Sequence, residues 1–261
     1  MPEIVNSLIR GLAVLRAFTA VHPHLTLTEV AEKTRLPRAT TRRMLLTLID
    51  QGLVRQTDGV FELTPRILEI GFAYLSGLTL TEIATPHVEK LSASVGESSS
   101  VAVLDSTDVV YVARVRARRI MDMSIGLGSR LPAYQTSLGR AILASLQDDE
   151  IRQIHEASDK SSTTEHTVQS LAALMTKINE VRVKGYAIVD QEAVIGVRSV
   201  SAPLRNGRRE TLAAINISTQ PHVTTLDELE SDYAPRLLET AAHISEALVA
   251  HDQRDLGTGL V

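Results

Sequence analysis

The chain has 261 residues, enough for one large domain or two ordinary ones, and its 44% apolar and 22% charged residues match a globular protein with a normal core. It has no cysteine, which excludes disulfides, thiolate catalysis, iron–sulfur clusters and cysteine-ligated zinc. A net charge of −4 argues against nucleic acid, but residues 1–80 carry nine Lys/Arg against seven Asp/Glu, a balance of +2, and the remainder eighteen against twenty-four, a balance of −6.

A stripe of Val5, Leu8, Leu12, Leu15 and Phe18 predicts a first helix from about Asn6, as N-cap, to about Ala20, before His22-Pro23-His24 breaks it. A second helix opens at Thr26 or Thr28, with Glu29 completing a capping box from Thr26, and buries Leu27, Val30 and Ala31. After a short turn at Arg35-Leu36-Pro37, a third helix runs from Pro37 to about Gln51, stopped by Gly52. At 100° per residue Thr41, Met44, Leu45, Leu48 and Ile49 share one arc, the predicted buried face. Ala39 and Arg43 point the other way, flanked by Arg38, Thr40 and Arg42; Leu46 also lies toward the outside. Small, hydrogen-bonding and cationic residues on the front of a helix with an apolar back suit base edges and phosphates.

Two short strands, residues 53–56 and 60–63, follow around Asp58-Gly59, a strong hairpin signal. Helix, turn, helix and hairpin in that order predict a winged helix-turn-helix over residues 1–64. The candidate DNA contacts are Thr28, Arg38, Ala39, Thr40, Arg42 and Arg43, with Arg55 of the wing on the backbone. Residues 65–80 predict a linker helix whose apolar residues (Ile67, Leu68, Ile70, Phe72, Leu75, Leu78) exceed what a connector needs, which suggests packing against another subunit.

Residues 81–252 alternate helices and strands. Helices are predicted at 81–94, 137–146, 148–157 and 168–184, and strands at 99–105, 109–116, 121–126, 186–192, 197–204 and 211–218. A long last helix carries the stripe Leu226, Leu229, Tyr233, Leu237, Ala241, Ile244 and Leu248, and residues 253–261 are expected to be disordered. The fold class is α+β, an antiparallel sheet flanked by helices.

Chemistry is sparse in this second part. No histidine pair has metal-ligand spacing, so neither metal nor cofactor is expected. The Gly126-Leu-Gly128 stretch lacks the third glycine of a dinucleotide loop, and Ser137 lacks a nucleophile elbow, so no enzyme is expected. Polar residues interrupting apolar segments remain: Arg130, Ser137 and Gly139 at a helix start that favours an anion, Asp190, Arg198, Ser199, Asn216 and Ser218. Converging on one sheet face, they would line a small polar pocket for a carboxylate metabolite. No secretory leader is visible and no apolar run is long enough to span a membrane, so a cytoplasmic protein is expected.

The chain resembles the IclR family of bacterial transcriptional regulators over nearly its whole length. The matching stretches are 25–31 and 36–48 in the first part, and Gly128-Ser-Arg-Leu-Pro-Ala-Tyr, Thr136-Ser-Leu-Gly-Arg-Ala-Ile-Leu-Ala, Gly185-Tyr-Ala-Ile-Val-Asp-Gln-Glu, Gly196-Val-Arg-Ser-Val-Ser-Ala-Pro-Leu and Ala214-Ile-Asn-Ile-Ser-Thr-Gln in the second. Leu-Pro-Ala-Tyr, Thr-Ser-Leu-Gly-Arg, Val-Asp-Gln-Glu and Ile-Asn-Ile-Ser-Thr look like the branch regulating protocatechuate, 4-hydroxybenzoate and catechol catabolism through β-ketoadipate. The resemblance implies a GAF-like effector-binding domain and double-stranded promoter DNA as partner. It also implies homodimers through the N-terminal and linker helices, often paired as homotetramers, acting as activator or repressor, with RNA polymerase as a further partner to test. Its effector contacts fall on Ser137, Leu138, Asp190, Ser199, Asn216 and Ser218. Ser199 stands where some members have cysteine, Asn216 where many have serine, and Leu138 where others have a smaller residue. Those departures favour an aromatic or dicarboxylic acid over a glyoxylate-type effector.

Overall fold

The computed structural model describes residues 4–75, 79–117, 125–161 and 164–258. The chain divides into two compact units, Met1–Gly77 and Leu78–Val261. This division leaves the helix after the hairpin with the first unit, where the sequence suggested a separate linker over 65–80.

In the first unit α1 (Asn6–Ala17), β1 (His24–Thr26), α2 (Leu27–Thr34) and α3 (Arg38–Asp50) precede the hairpin β2 (Val54–Thr57) and β3 (Val60–Leu63), and α4 spans Ile67–Leu75. Helix α1 ends earlier than expected because Phe18 is already extended, and Val5, not Asn6, is its N-cap. The expected stripe divides: Phe18 enters the core with Val14 and Ala17, Leu15 is half-buried against it, and Val5, Leu8 and Leu12 stay exposed beside Ile4 and Ile9. Helix α2 starts on the anticipated capping box, in which Glu29 N–H donates to Thr26 Oγ1 and Thr26 N–H to Glu29. Arg35 then adopts a left-handed conformation (φ 54°), which turns the chain into Pro37, the N-cap of α3. Asp58 and Gly59 both have positive φ (51° and 82°), the geometry a two-residue hairpin turn requires. A strand absent from the sequence reading, β1, adds to β3 and completes a three-stranded sheet in the order β1-β3-β2.

The second unit is built on a six-stranded sheet in the order β6-β5-β4-β9-β8-β7, every pair antiparallel. Its strands are β4 (Ser98–Asp105), β5 (Asp108–Val115), β6 (Arg130–Pro132), β7 (Ala187–Asp190), β8 (Arg198–Arg205) and β9 (Thr211–Thr219). Side chains alternate between the two faces. One face packs Val101, Val200, Leu204, Ile215 and Ile217 against α5 (Thr79–Val95) and the C-terminal helix, through Val88, Leu91, Leu237 and Ile244. The other packs Ala102, Val109 and Ala214 against α6 (Ser137–Leu143), α7 (Asp148–Ala157) and α8 (Leu171–Lys184), through Leu138, Leu143, Ile151, Leu174 and Ile178.

Some boundaries depart from expectation. The strand expected at 121–126 lies at 121–124 outside the described residues, and 125–126 form no strand; β6 takes the edge position instead. The helix expected at 137–146 stops at Leu143 and follows a 3₁₀ turn at Ala133–Gln135. The last helix is interrupted: α9 (Leu226–Glu228) passes through a π turn at Leu229–Tyr233 into α10 (Ala234–Thr258), and Leu226 is exposed. Helix α10 continues to Thr258, where the sequence suggested disorder from residue 253. Among the described residues no helix is long and apolar enough to cross a membrane.

Candidate functional site

Thr41, Leu45 and Leu48 are buried and clamp one side of α3 to its unit, with Met44 and Ile49 half-buried beside them. Arg38, Ala39, Arg42 and Arg43 are exposed on the opposite side, and Thr40 is half-buried. Arg38 Nη1 donates to Thr28 Oγ1 at 3.0 Å, which ties the start of α3 to the start of α2. Among the described residues no carboxylate pairs with Arg38, Arg42 or Arg43. The result is a cationic ridge free of acids on the outer side of the second helix of a helix-turn-helix. Arg55 on the wing differs, because its Nε lies 2.7 Å from Glu62 Oε1 on the neighbouring strand. That hydrogen bond, with the charge behind it, raises the Arg55 pKa and lowers that of Glu62. Leu46 is exposed, as its helical position required.

In the second unit a cavity lies between α6 and the sheet. It is lined by Tyr111, Arg114, Ile125, Leu131, Thr136, Ser137, Leu138, Val189, Ala193, Val194, Val197, Ser199, Asn216 and Ser218. Ser137, Leu138, Ser199, Asn216 and Ser218, expected from the sequence, therefore meet at one place. Ser199 on β8 and Ser218 on β9 are direct cross-strand partners, and Asn216 lies two residues along on the same face. Ser201 Oγ donates to Ser137 Oγ at 2.6 Å, and Ser137 Oγ lies 2.8 Å from Ser199 Oγ. Asn216 Nδ2 donates to Ser218 Oγ at 2.9 Å, while its buried Oδ1 has no partner. The lining atoms enclose about 540 Å³, the open mouth included. The loop contributing Ala193, Val194 and Val197 is the wall with least secondary structure. Among the described residues the Ser137 hydroxyl is engaged by two serines and by no histidine or carboxylate, which is not the arrangement of an activated nucleophile.

The remaining expected residues sit elsewhere. Asp190 and Arg198 alternate onto the opposite sheet face from Val189 and Ser199 and form an ion pair, with Arg198 Nη1 also donating to Thr224 O. Arg130, on edge strand β6, is bound by Asp105 and Asp108 and is not in the lining. Gly139 is a packing residue, since an added Cβ would overlap the Ala133 carbonyl oxygen, and its N–H already donates to Thr136 Oγ1 at 3.0 Å. Arg140, one residue on, is fully buried and makes a two-pronged pair with Glu192 at 2.7 and 2.6 Å.

Tyr111 and Arg114 are lining residues that the sequence reading missed. The available signal was an arginine within the apolar run Val109–Val115. Strict alternation places 111 and 114 on opposite faces, but a register shift between β4 and β5 puts them on the same one. Burial pushes the Tyr111 phenol up to about 12, so it stays neutral at physiological pH. Among the described residues no group of three or more histidines and acids could hold a metal ion.

An exposed cationic helix face in a winged helix-turn-helix, joined in one chain to an α+β unit with a polar cavity, defines a ligand-responsive DNA-binding regulator. Comparison with known proteins agrees. The model of the IclR helix-turn-helix domain matches residues 7–58, and that of the C-terminal domain of bacterial transcriptional regulator IclR matches residues 72–246. The Pca regulon regulatory protein of Pseudomonas putida is 36% identical over 248 residues, 95% of this chain and 85% of that protein. The p-hydroxybenzoate hydroxylase transcriptional activator of Acinetobacter baylyi is 30% identical over 244 residues, 92% of this chain and 90% of that one. A solved transcriptional regulator from Rhodococcus sp. RHA1 superposes with a TM-score of 0.81 at 48% identity, covering 94% of this chain and 98% of its own. An IclR homologue from Microbacterium hydrocarbonoxydans, solved with 4-hydroxybenzoate, shares the fold at 21% identity (TM-score 0.78, 93% and 99% covered). The chain belongs to the IclR family of bacterial transcriptional regulators.

Proposed function

We propose that this protein regulates an aromatic-acid catabolic operon from the cytoplasm and has no enzymatic activity. Helix α3 enters the major groove of promoter DNA through Arg38, Ala39, Thr40, Arg42 and Arg43, with Thr28 and Arg55 on the backbone. A small aromatic or dicarboxylic acid occupies the cavity against Ser137, Leu138, Ser199, Asn216 and Ser218. Arg130, Gly139, Asp190 and Arg198 shape the fold around it without touching it. The exposed apolar side of α1 (Leu8, Ile9, Leu12) and its N-cap Val5, with Leu68 and Ile70 of α4, support a homodimer that binds two half-sites about 10 bp or a multiple apart, and two such dimers would form a tetramer. The effector shifts a population between states of different DNA affinity, which requires differential binding to those states.

The observation that carries this reading is the cavity's mixed wall, with serine hydroxyls and an unpartnered amide oxygen facing Tyr111, Leu138, Val189 and Val197. The relatives named for Pca and p-hydroxybenzoate regulation point to the same ligand class. The test is a thermal-shift panel of 4-hydroxybenzoate, protocatechuate, β-ketoadipate, glyoxylate and pyruvate, paired with a mobility-shift assay on the protein's own promoter fragment. An aromatic acid or β-ketoadipate should raise the melting temperature and change promoter binding. Stabilisation by glyoxylate or pyruvate alone would overturn the pathway assignment.

A further inference from the structure

The cavity wall holds a half-buried cation that has no counter-charge among the described residues. Ser100 of β4 pairs with Arg114 on β5 and with Asn216 on β9, so Arg114 and Asn216 flank it at one level of the sheet, about 10 Å apart at their Cα atoms. The bulge opposite Val101/Ala102 sends Val112 and Ala113 together into the α5/α10 core and turns Arg114 to the Tyr111 side. Arg114 Nη1 donates to Ser100 Oγ at 3.3 Å, and its guanidinium lies 6.0 Å from the Tyr111 ring centroid. Its buried Nε has no partner, and among the described residues no carboxylate pairs with it. Desolvation, with Arg116 nearby, lowers the Arg114 pKa, as expected of a cation partly withdrawn from water. Arg130 and Arg140, which lie outside the lining, are by contrast neutralised: Arg130 by Asp105 and Asp108, Arg140 by Glu192.

A cation partly withdrawn from water, with its buried Nε unbonded and no counter-charge, is costly unless a ligand completes it. We propose that Arg114 is the anchor for the effector's carboxylate. Its guanidinium supplies a charge-assisted hydrogen bond from Nε and a cationic wall, while the unpartnered Asn216 Oδ1, nearly wholly buried across Ser100, accepts from a hydroxyl at the ligand's other end. The class so defined is a compact acid carrying a hydrogen-bond donor remote from its carboxylate, with Tyr111, Leu138 and Val189 covering its apolar body. This rests on the cavity being the effector site, as proposed above, and adds the residue that selects the acid.

The test compares wild type and Arg114→Gln in the full chain, by calorimetric titration with each acid of the panel and with its primary amide, 4-hydroxybenzoate against 4-hydroxybenzamide first. Wild type should prefer acid over amide by at least about tenfold, and Arg114→Gln should bring that preference close to one. If Arg114→Gln does not fold, the wild-type protein with labelled arginine serves instead: the Arg114 Nε–H resonance should move on adding the acid and not the amide. An aromatic acid that binds with its preference unchanged in Arg114→Gln, or without moving that resonance, overturns the anchor while leaving the aromatic reading intact. Glyoxylate or pyruvate binding in an Arg114-dependent way upholds the anchor and sinks the aromatic reading. Failure of every acid to bind wild type overturns both.

Discussion

Asp190 and Arg198 face each other across β7 and β8 with both guanidinium–carboxylate contacts at 2.8–2.9 Å, and the pair points away from the cavity that the neighbouring Val189 and Ser199 line. Asp190→Ala should therefore act on stability and not on ligand recognition. It leaves Arg198 largely buried and without its carboxylate, a loss on the order of 2 kcal/mol given that Asp190 is partly solvated. Urea unfolding should show that loss, while effector affinity of the folded variant stays at the wild-type value. A large loss of affinity at unchanged stability would place Asp190 in the site.

Gly139→Ala should be more damaging than its size suggests. The new methyl would collide with backbone at Ala133, which cannot swing aside as a side chain does. A loss on the order of 3 kcal/mol is expected, read as a lower thermal midpoint of the second unit, with the thermal transition of the first unit little changed.

Arg43→Ala should weaken operator binding by about 1–3 kcal/mol if Arg43 reads a base, and Arg42→Ala should lower the salt slope if Arg42 meets a phosphate. Arg55→Ala should do less, because Arg55 is already held by Glu62. Mobility shifts at several salt concentrations separate these outcomes, and undiminished affinity in Arg43→Ala would displace α3 from the groove.

Leu8→Asp should leave the first unit folded, since Leu8 is exposed within its own chain. It should shift sedimentation from dimer toward monomer and weaken binding to a two-half-site operator. A variant that still sediments as a dimer would remove the α1 stripe from the interface.

His155 makes stability pH-dependent below neutrality. Burial, with Lys160 nearby, lowers its pKa, and in the neutral form Nε2 bonds to Gln169 O at 3.0 Å with the ring edge-on to Tyr134. The folded state thus binds a proton less readily than the unfolded chain. The stability is fully present above the unfolded histidine pKa near 6.5 and is lost as pH falls through it toward the folded value. Melting temperatures between pH 7.5 and 5.5 should fall, and His155→Gln should flatten part of that slope; His87, its pKa also lowered by burial, contributes in the same direction.

Much of this protein is written in local pattern. Capping box, left-handed turn residue, hairpin glycine and the apolar back of α3 each depend on neighbours within a few residues, so helix-turn-helix, wing and the arginine-bearing front of α3 were legible before any coordinates. The serines and asparagine of the cavity were legible too, as polar breaks in apolar strands. Facing was not. Periodicity identifies an apolar stripe but not what covers it: Val5, Leu8 and Leu12 belong to the stripe that predicted α1, and they are exposed. Register between strands distant in sequence decided the rest: Asp190 and Arg198 alternate away from the cavity, and a single bulge in β5 brings Arg114 into it. Each depends on which residue lies opposite which, a quantity set by long-range pairing and invisible to any window of the chain.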